Sequence, residues 1–293
     1  MIASTLVDGA FQGAVLCLAS LGLSLVYAVF RFPNFSHGDL ITVGAYGAAV
    51  GASVGDGAPS LAAAAAGAVL AAVAVTLLAD RLAFRPLLVR RDGASIIIAA
   101  FAVGLILRNL VVLLFGSDPT DPLGRLEIAT PVWNAPLFSA ARLTAMERSV
   151  VLATGALIVL AHLLLRGTGL GRELRAVAEN PELAGVCGIV VPRVRRLAWA
   201  IAAGFCAMAG LALILLGPVR PETGAEFLLP ALAAVILGGL GSIGGTLAGA
   251  FLIGIAEAAA VHLGLAEWRQ AISFALIIVV LCLRPAGLFG RAA

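Results

Sequence analysis

The chain contains no lysine; all 19 of its basic residues are arginine. That omission excludes a nucleotide-binding loop of the G-x-x-x-x-G-K-[ST] type, whose ammonium must reach the phosphates. It also excludes Schiff-base chemistry, which needs a side-chain amine. If ATP drives this protein, another polypeptide binds it. Charge of either sign is scarce, at 12% of 293 residues, and aromatics make up only 6%. A water-soluble domain of this length would need far more charge to cover its surface. Histidine is limited to His37, His162 and His262, with no H-E-x-x-H pair to hold zinc. Cys17, Cys187, Cys206 and Cys282 show neither metal nor disulfide spacing and read as small buried hydrophobes. No metal site, no nucleic-acid footprint and no enzymatic chemistry is expected of the chain.

What remains is hydrophobic, 61% of residues with a mean hydropathy of +1.09. A bilayer core of about 30 Å needs roughly 20 apolar residues per helix. Runs near that length lie at 6–30, 40–54, 61–79, 95–115, 150–165, 197–216, 227–237, 243–263 and 271–283. They are continuous and rich in Leu, Ala and Val, where a barrel strand would alternate. The expectation is an all-α, polytopic bundle of eight or nine spans, two of them short, in one domain covering residues 1–293. The N-terminal run lacks a basic leader and a small-residue cleavage signal, so it reads as the first span.

Arginine sets the orientation. Arg81, Arg85, Arg90 and Arg91 crowd one loop; Arg166, Arg172, Arg175, Arg193, Arg195 and Arg196 another; Arg284 and Arg291 the C-terminal end. Those segments are expected in the cytoplasm. The acidic loops 116–149 and 217–227 and the N-terminus are expected outside, which nine crossings satisfy.

Glycines spaced by four, Gly47, Gly51 and Gly55, then Gly241, Gly245 and Gly249, point to close helix packing. The stretches "HGDLITVGAYGA" and "GGTLAGAFLIGI" that contain them resemble each other weakly, which suggests a parallel internal repeat.

Polar residues inside such a chain carry the information. In "RFPNFSHGDLITVGAYG", Arg31 ends the first span, Pro33 breaks the helix, and Ser36 with Asp39 has the spacing of a capping box. Capping leaves Asn34 and His37 unexplained. A broken segment is tolerated at membrane depth only where protein buries it or where it lines a watery cavity. Asn34, Ser36, His37, Asp39 and, two turns on, Tyr46 are therefore the candidates for a translocation path. Arg108 and Glu257 sit at matched depths, each roughly 10 Å inside the outer ends of their spans. An unpaired charge there is costly, so they are expected to form an intramembrane ion pair, either structural or bordering the path.

The segment "RGTGLGRELRAVAENPELAGVCGIVVPRVRR", residues 166–196, is the most distinctive loop. Residues 172–186 are expected to form one helix with Leu174, Val177, Ala178 and Leu183 as an apolar stripe, ending before Gly188. A helix displayed in this way suits docking into a partner's groove.

The stretches "GLSLVYAVFRFPNFSHGDLITVGAYG", "GLGRELRAVAENPELAGVCGI", "LGGLGSIGGTLAGAFLIGIAE" and the ending "RPAGLFG" occur in this order along the chain. Together they resemble the permease family of bacterial branched-chain amino-acid ABC importers, in particular its shorter type. The resemblance implies a multi-pass subunit of the bacterial inner membrane, with its N-terminus outside and its C-terminus in the cytoplasm. It implies a homologous permease as partner, two ABC ATPase subunits that bind the ATP and magnesium, an extracytoplasmic substrate-binding protein, and surrounding lipid. No cofactor is expected in this chain. Residues 172–188 would be the helix that meets the ATPase, with Arg172, Glu173, Arg175, Glu179, Asn180, Leu183 and Gly188 as contacts. The sequence there departs from the E-A-A-x-x-x-G signature of many other importers. Transport of urea or short amides, or a gradient-driven carrier acting alone, are the alternatives.

Overall fold

The computed structural model describes residues 2–54, 60–90, 93–120, 133–134, 142–143, 145–284 and 287–289. Its helices are α1 (Ile2–Phe30), α2 (His37–Ser53), α3 (Leu61–Ala79), α4 (Arg85–Arg90), α5 (Gly93–Phe115), α6 (Ala145–Gly167), α7 (Gly169–Glu179), α8 (Pro181–Val186), α9 (Val191–Leu216), α10 (Thr223–Gly238), α11 (Ile243–His262) and α12 (Arg269–Leu283). A π-helical segment, Asp80–Phe84, joins α3 to α4, and a 3₁₀ turn, Ala266–Trp268, leads into α12. The fold is all-α, with a minimal ladder of β1 (Trp133–Asn134) and β2 (Arg142–Leu143) between α5 and α6. Most of the expected outer loop, residues 121–132 and 135–141, lies outside the described residues, as does Gly55.

All nine apolar runs are helical, but among the described residues seven helices are long and apolar enough to cross a membrane. The expected eight or nine spans are corrected accordingly. The two short ones are α2, with 17 residues, and α10, with 16. At 1.5 Å per residue they reach about 26 and 24 Å, less than the hydrocarbon core.

Contacts fix where α2 begins. His37 lies against Ala19 of α1 and Gly22, Gly22 faces Ala202 of α9, and Ser36 and Asp39 face Gly104 of α5. Ala19, Ala202 and Gly104 are each eleven residues, about 16 Å, from one end of their helices. All three ends belong to the side of the bundle that carries α7 and α8. The first helix therefore runs to that side, the chain turns back, and α2 starts near mid-depth. From there α2 runs parallel to α5, with the Tyr46 and Phe115 rings 4.9 Å apart and tilted by 48°.

Successive long helices alternate in direction, and α2 and α11 run the same way. The N-terminus and the C-terminal segment lie at opposite ends. Leu288 and Phe289 hydrogen-bond to the end of α10, on the α7–α8 side. The centre is made by α1, α2, α9, α10 and α11, whereas α3, α5, α6 and α12 are largely exposed.

Glycine allows this density. A Cβ on Gly67 of α3 would sit 2.4 Å from the Gly47 oxygen and 2.8 Å from the Gly51 Cα of α2. Gly245 and Gly249 of α11 meet Gly238 and Ala234 of α10 equally closely. Gly47, Gly51, Gly245 and Gly249 are thus packing residues, while Gly241 serves the turn before α11 with φ of +80°. In hydrocarbon, such backbone contact replaces the hydrophobic effect as the force between helices.

Among the cysteines, Cys17 and Cys206 are buried, whereas Cys187 and Cys282 are exposed, contrary to the expectation of four buried thiols. Gly67→Val should lower the melting temperature of the detergent-purified protein by several degrees, consistent with overpacking of about 1–3 kcal/mol. Gly155→Ala, where an added carbon meets nothing within 4 Å, should leave it unchanged.

Candidate functional site

The break between α1 and α2 is built from its polar residues. Arg31 takes φ of +61°, the one described non-glycine residue in the left-handed region. Its guanidinium Nη2 donates to the Ala178 carbonyl of α7 at 2.7 Å. Phe32 then enters an aromatic cluster at the α7–α8 end. There Phe30 lies 4.7 Å from Trp199, and Phe84 stacks on the same indole at 5.1 Å.

The cap of α2 differs from the expected box. The Asn34 Oδ1 accepts from the Ser36 backbone N–H at 3.1 Å and from the Ser36 hydroxyl at 2.7 Å. Ser36 makes no side-chain cap bond, and Asp39 faces sideways. Asn34 therefore accepts from the Ser36 N–H that a box would have given to the Asp39 carboxylate. An asparagine two residues before the helix can form this Asx turn, which competes with the box for the same N–H groups.

The His37 Nε2 donates to the Ala19 carbonyl of α1 at 2.7 Å, and the Cys206 Sγ lies 3.5 Å from the ring. The tautomer follows from the partner, because a carbonyl only accepts. Thr42 completes the set by accepting from the Gly224 N–H at 3.1 Å and donating to the Pro221 carbonyl, which ties the start of α10 to α2.

Asn34, Ser36, His37, Asp39 and Tyr46 are brought together on one segment and all are buried, with exposures from 0 to 4%. The protein encloses them in this conformation. Asp39 reaches a partly exposed side chain, Arg108, and Tyr46 another, Phe115.

The Arg108 Nε donates to the Asp39 Oδ1 at 3.0 Å. The expected pair between Arg108 and Glu257 does not form. The two residues share a depth but not a neighbourhood: α5 packs on α2, whereas α11 packs on α1 and α10. Glu257 instead accepts from the Ser273 hydroxyl at 2.7 Å and lines a cavity of about 100 Å³ with Gln12, Glu226 and Arg269. Gly104 seats the real pair, because a Cβ there would meet the Asp39 Oδ2 at 2.5 Å.

The segment 166–196 folds as two helices rather than one. Asn180 ends α7, and its Oδ1 accepts from the Glu182 and Leu183 N–H groups at 3.0 Å each, capping α8 ahead of Pro181. That Asn-Pro pair is the start signal of a new helix and was legible in the sequence. Gly188, at φ of +86°, closes α8, with the Ile189 N–H bonded to the Ala184 carbonyl at 3.0 Å.

The break divides the expected stripe. Leu174 and Val177 are buried against the bundle, while Leu183 is 60% exposed. Arg175 is exposed, and its Nη1 also donates to the Leu165 carbonyl at the end of α6. Arg172, Glu179 and Asn180 are exposed and Glu173 is partly so. Val186 and Val190, 86% and 61% exposed, join Leu183 to form an apolar tip that sequence reasoning missed. Asp80, buried beside Trp199, lies among Arg85, Arg195 and Arg196 and helps fasten this end together.

A bundle with seven membrane-length helices among the described residues and a broken segment at mid-depth defines a multi-pass membrane protein. The family model described as the permease component of the branched-chain amino acid transport system matches residues 5–281. The chain belongs to that family. It is 31% identical to the high-affinity branched-chain amino acid transport system permease protein LivH of Escherichia coli, over 97% of this chain and 94% of the relative. The permease protein BraD of Pseudomonas aeruginosa is 29% identical over 98% and 95%. Among solved structures, a metal-chelate type ABC transporter in an inward-facing conformation matches with a TM-score of 0.51. It shares 16% identity, covering 94% of this chain and 85% of that one, and the likeness is one of fold.

Removing Arg108 should be costly, because Asp39, 4% exposed, is left as a buried charge without its cation. Arg108→Leu should therefore reduce the yield of folded protein. Adding Asp39→Leu should restore much of it, and adding Glu257→Leu should not. Equal rescue by both, measured as monodisperse protein after size exclusion, would rule out the specific pair.

Proposed function

We propose that this chain is the membrane subunit of an ABC importer that moves branched-chain or other apolar amino acids into the cytoplasm. A homologous permease, two ATPases and an extracytoplasmic substrate-binding protein would complete the transporter. The ATPases would bind the ATP and magnesium, and this chain would perform no covalent chemistry. The observation that carries the reading is the set of exposed apolar residues Leu183 and Val186 on α8 and Val190 just before α9, at the end of a bundle whose family is that of permease components. Apolar residues displayed on a polar end mark a docking surface.

The arginines of that end, Arg31, Arg85, Arg172, Arg195 and Arg196 among them, give it the cytoplasmic orientation under the positive-inside rule. The N-terminus then lies outside and the C-terminus inside, in the inner membrane. Movement of a docked ATPase would reach the bundle through two links. One is the Arg175 bond to the end of α6; the other is the Arg31 bond from the break to α7. Pulling on α7 thus pulls on the start of α2, which supplies a lever for alternating access. Asn34, Ser36 and His37 use their polar atoms to hold the break and act as the hinge of that lever.

Mild purification of the tagged chain from native membranes should recover an ABC ATPase and a second permease. Recovery of the chain alone, with uptake intact, would favour a self-sufficient carrier. Leu183→Glu with Val186→Glu should leave insertion unchanged and reduce ATP-driven uptake at least ten-fold. Arg175→Glu should loosen α7 from α6 and also lower the melting temperature.

A further inference from the structure

The outward face of α5 carries Leu105, Ile106, Leu110 and Leu113, each at least 42% exposed, as a lipid-facing helix would. In their midst Asn109 is exposed and the Arg108 side chain is 30% accessible. Arg108 stands fifteen residues from Gly93 and seven from Phe115, so it lies about 10 Å below the nearer end of the helix. An arginine seeking headgroups would extend toward that nearer end. This one is drawn the other way, to an Asp39 level with Gly104. Its charge therefore stays at membrane depth on an outward face, where lipid contact is expensive.

The Asp39 bond uses only Nε, and no other hydrogen bond to Arg108 occurs among the described residues. The paired Nη1 and Nη2 groups remain as donors, the arrangement that receives a carboxylate. Asn109 spends its Nδ2 on the Leu105 carbonyl at 2.7 Å, which leaves its amide oxygen as an acceptor on the same face. An apolar wall with one cationic donor and one neutral acceptor matches an amino acid that has an apolar side chain.

We propose that this face of α5 lines the water-filled substrate path, and that Arg108, held by Asp39, contacts the carboxylate of an apolar amino acid in transit. The assignment rests on the importer reading and specifies where that importer touches its cargo. Asp39 is then a positioning residue: it aims the guanidinium and offsets its charge, so that the carboxylate is held weakly enough to leave.

The test uses the whole transporter in native membranes, with the exposed Cys187 and Cys282 changed to serine. A charged, water-soluble methanethiosulfonate should label Asn109→Cys at least ten-fold faster than Leu163→Cys on the exposed face of α6, and excess leucine should slow the labelling. Equal, slow labelling of both would mean that lipid or a partner subunit covers α5, and would overturn the proposal. The neutral double variant Asp39→Asn with Arg108→Gln removes the pair without stranding a charge. It should be made and assembled normally, hydrolyse ATP, and show at least a ten-fold higher KM or lower rate for leucine uptake. Uptake at the parent rate would reduce Arg108 to a structural partner. Should the double variant fail to fold, the labelling of Asn109→Cys still decides. Loss of the ATPase from the purified complex would count against the importer reading itself, which the labelling pattern does not test.

Discussion

A helix that stops half-way through a bilayer leaves backbone donors and acceptors where no water can reach them. In hydrocarbon each unsatisfied group costs several kcal/mol, so the turn between α1 and α2 exists only because side chains and neighbouring helices supply partners. Asn34 satisfies the first N–H of the turn, and Leu40 takes up the Ser36 carbonyl. The His37 ring answers the Ala19 carbonyl of the first helix. Everything central in the bundle is arranged around this short stretch. The first and ninth helices enclose it, the fifth brings Arg108 to its aspartate, and the tenth is hung from its threonine.

The stretch is also where the two ends of the function meet. Toward the α7–α8 side, Arg31 reaches the amphipathic connection between α6 and α9, and the Phe30, Phe32, Phe84 and Trp199 rings pack the break against the ninth helix and the π-helical segment. Outward, Asp39 holds Arg108 toward an exposed face. One short segment thus links the connection between α6 and α9 to a charged group at mid-depth of the bundle. The small residues around it permit this, since backbones separated by glycine and alanine can slide by small steps without repacking large side chains.

Much of the candidate site was legible in residue types but not in their pairings. Proline at 33 and the polar run around it announced the break, whereas the N-P at 180–181 is a start signal for a second helix that the single-helix expectation for 172–186 passed over. Spacing alone favoured a Ser36–Asp39 capping box, yet Asn34 was near enough to reach the same N–H and Asp39 found a cation. Depth alone favoured pairing Arg108 with Glu257. Depth along two helices says nothing about which faces meet, and the helices that carry these residues pack on different neighbours. The apolar stripe of α7 and α8 was read as one outward surface, whereas its first half, Leu174 and Val177, is buried by the bundle.

Composition and order along the chain determined the class by themselves: little charge, long apolar runs and arginines gathered in particular loops define a multi-pass helical protein, and the lack of lysine excludes a lysine-bearing phosphate loop. Hydrophobicity is a property of each residue and survives without coordinates. Tertiary structure alone decided at what depth α2 begins, which acid answers Arg108, and which apolar residues of the loop face outward. Those outcomes depend on the rotation of one helix against another, and helix rotation is set by contacts between residues far apart in sequence.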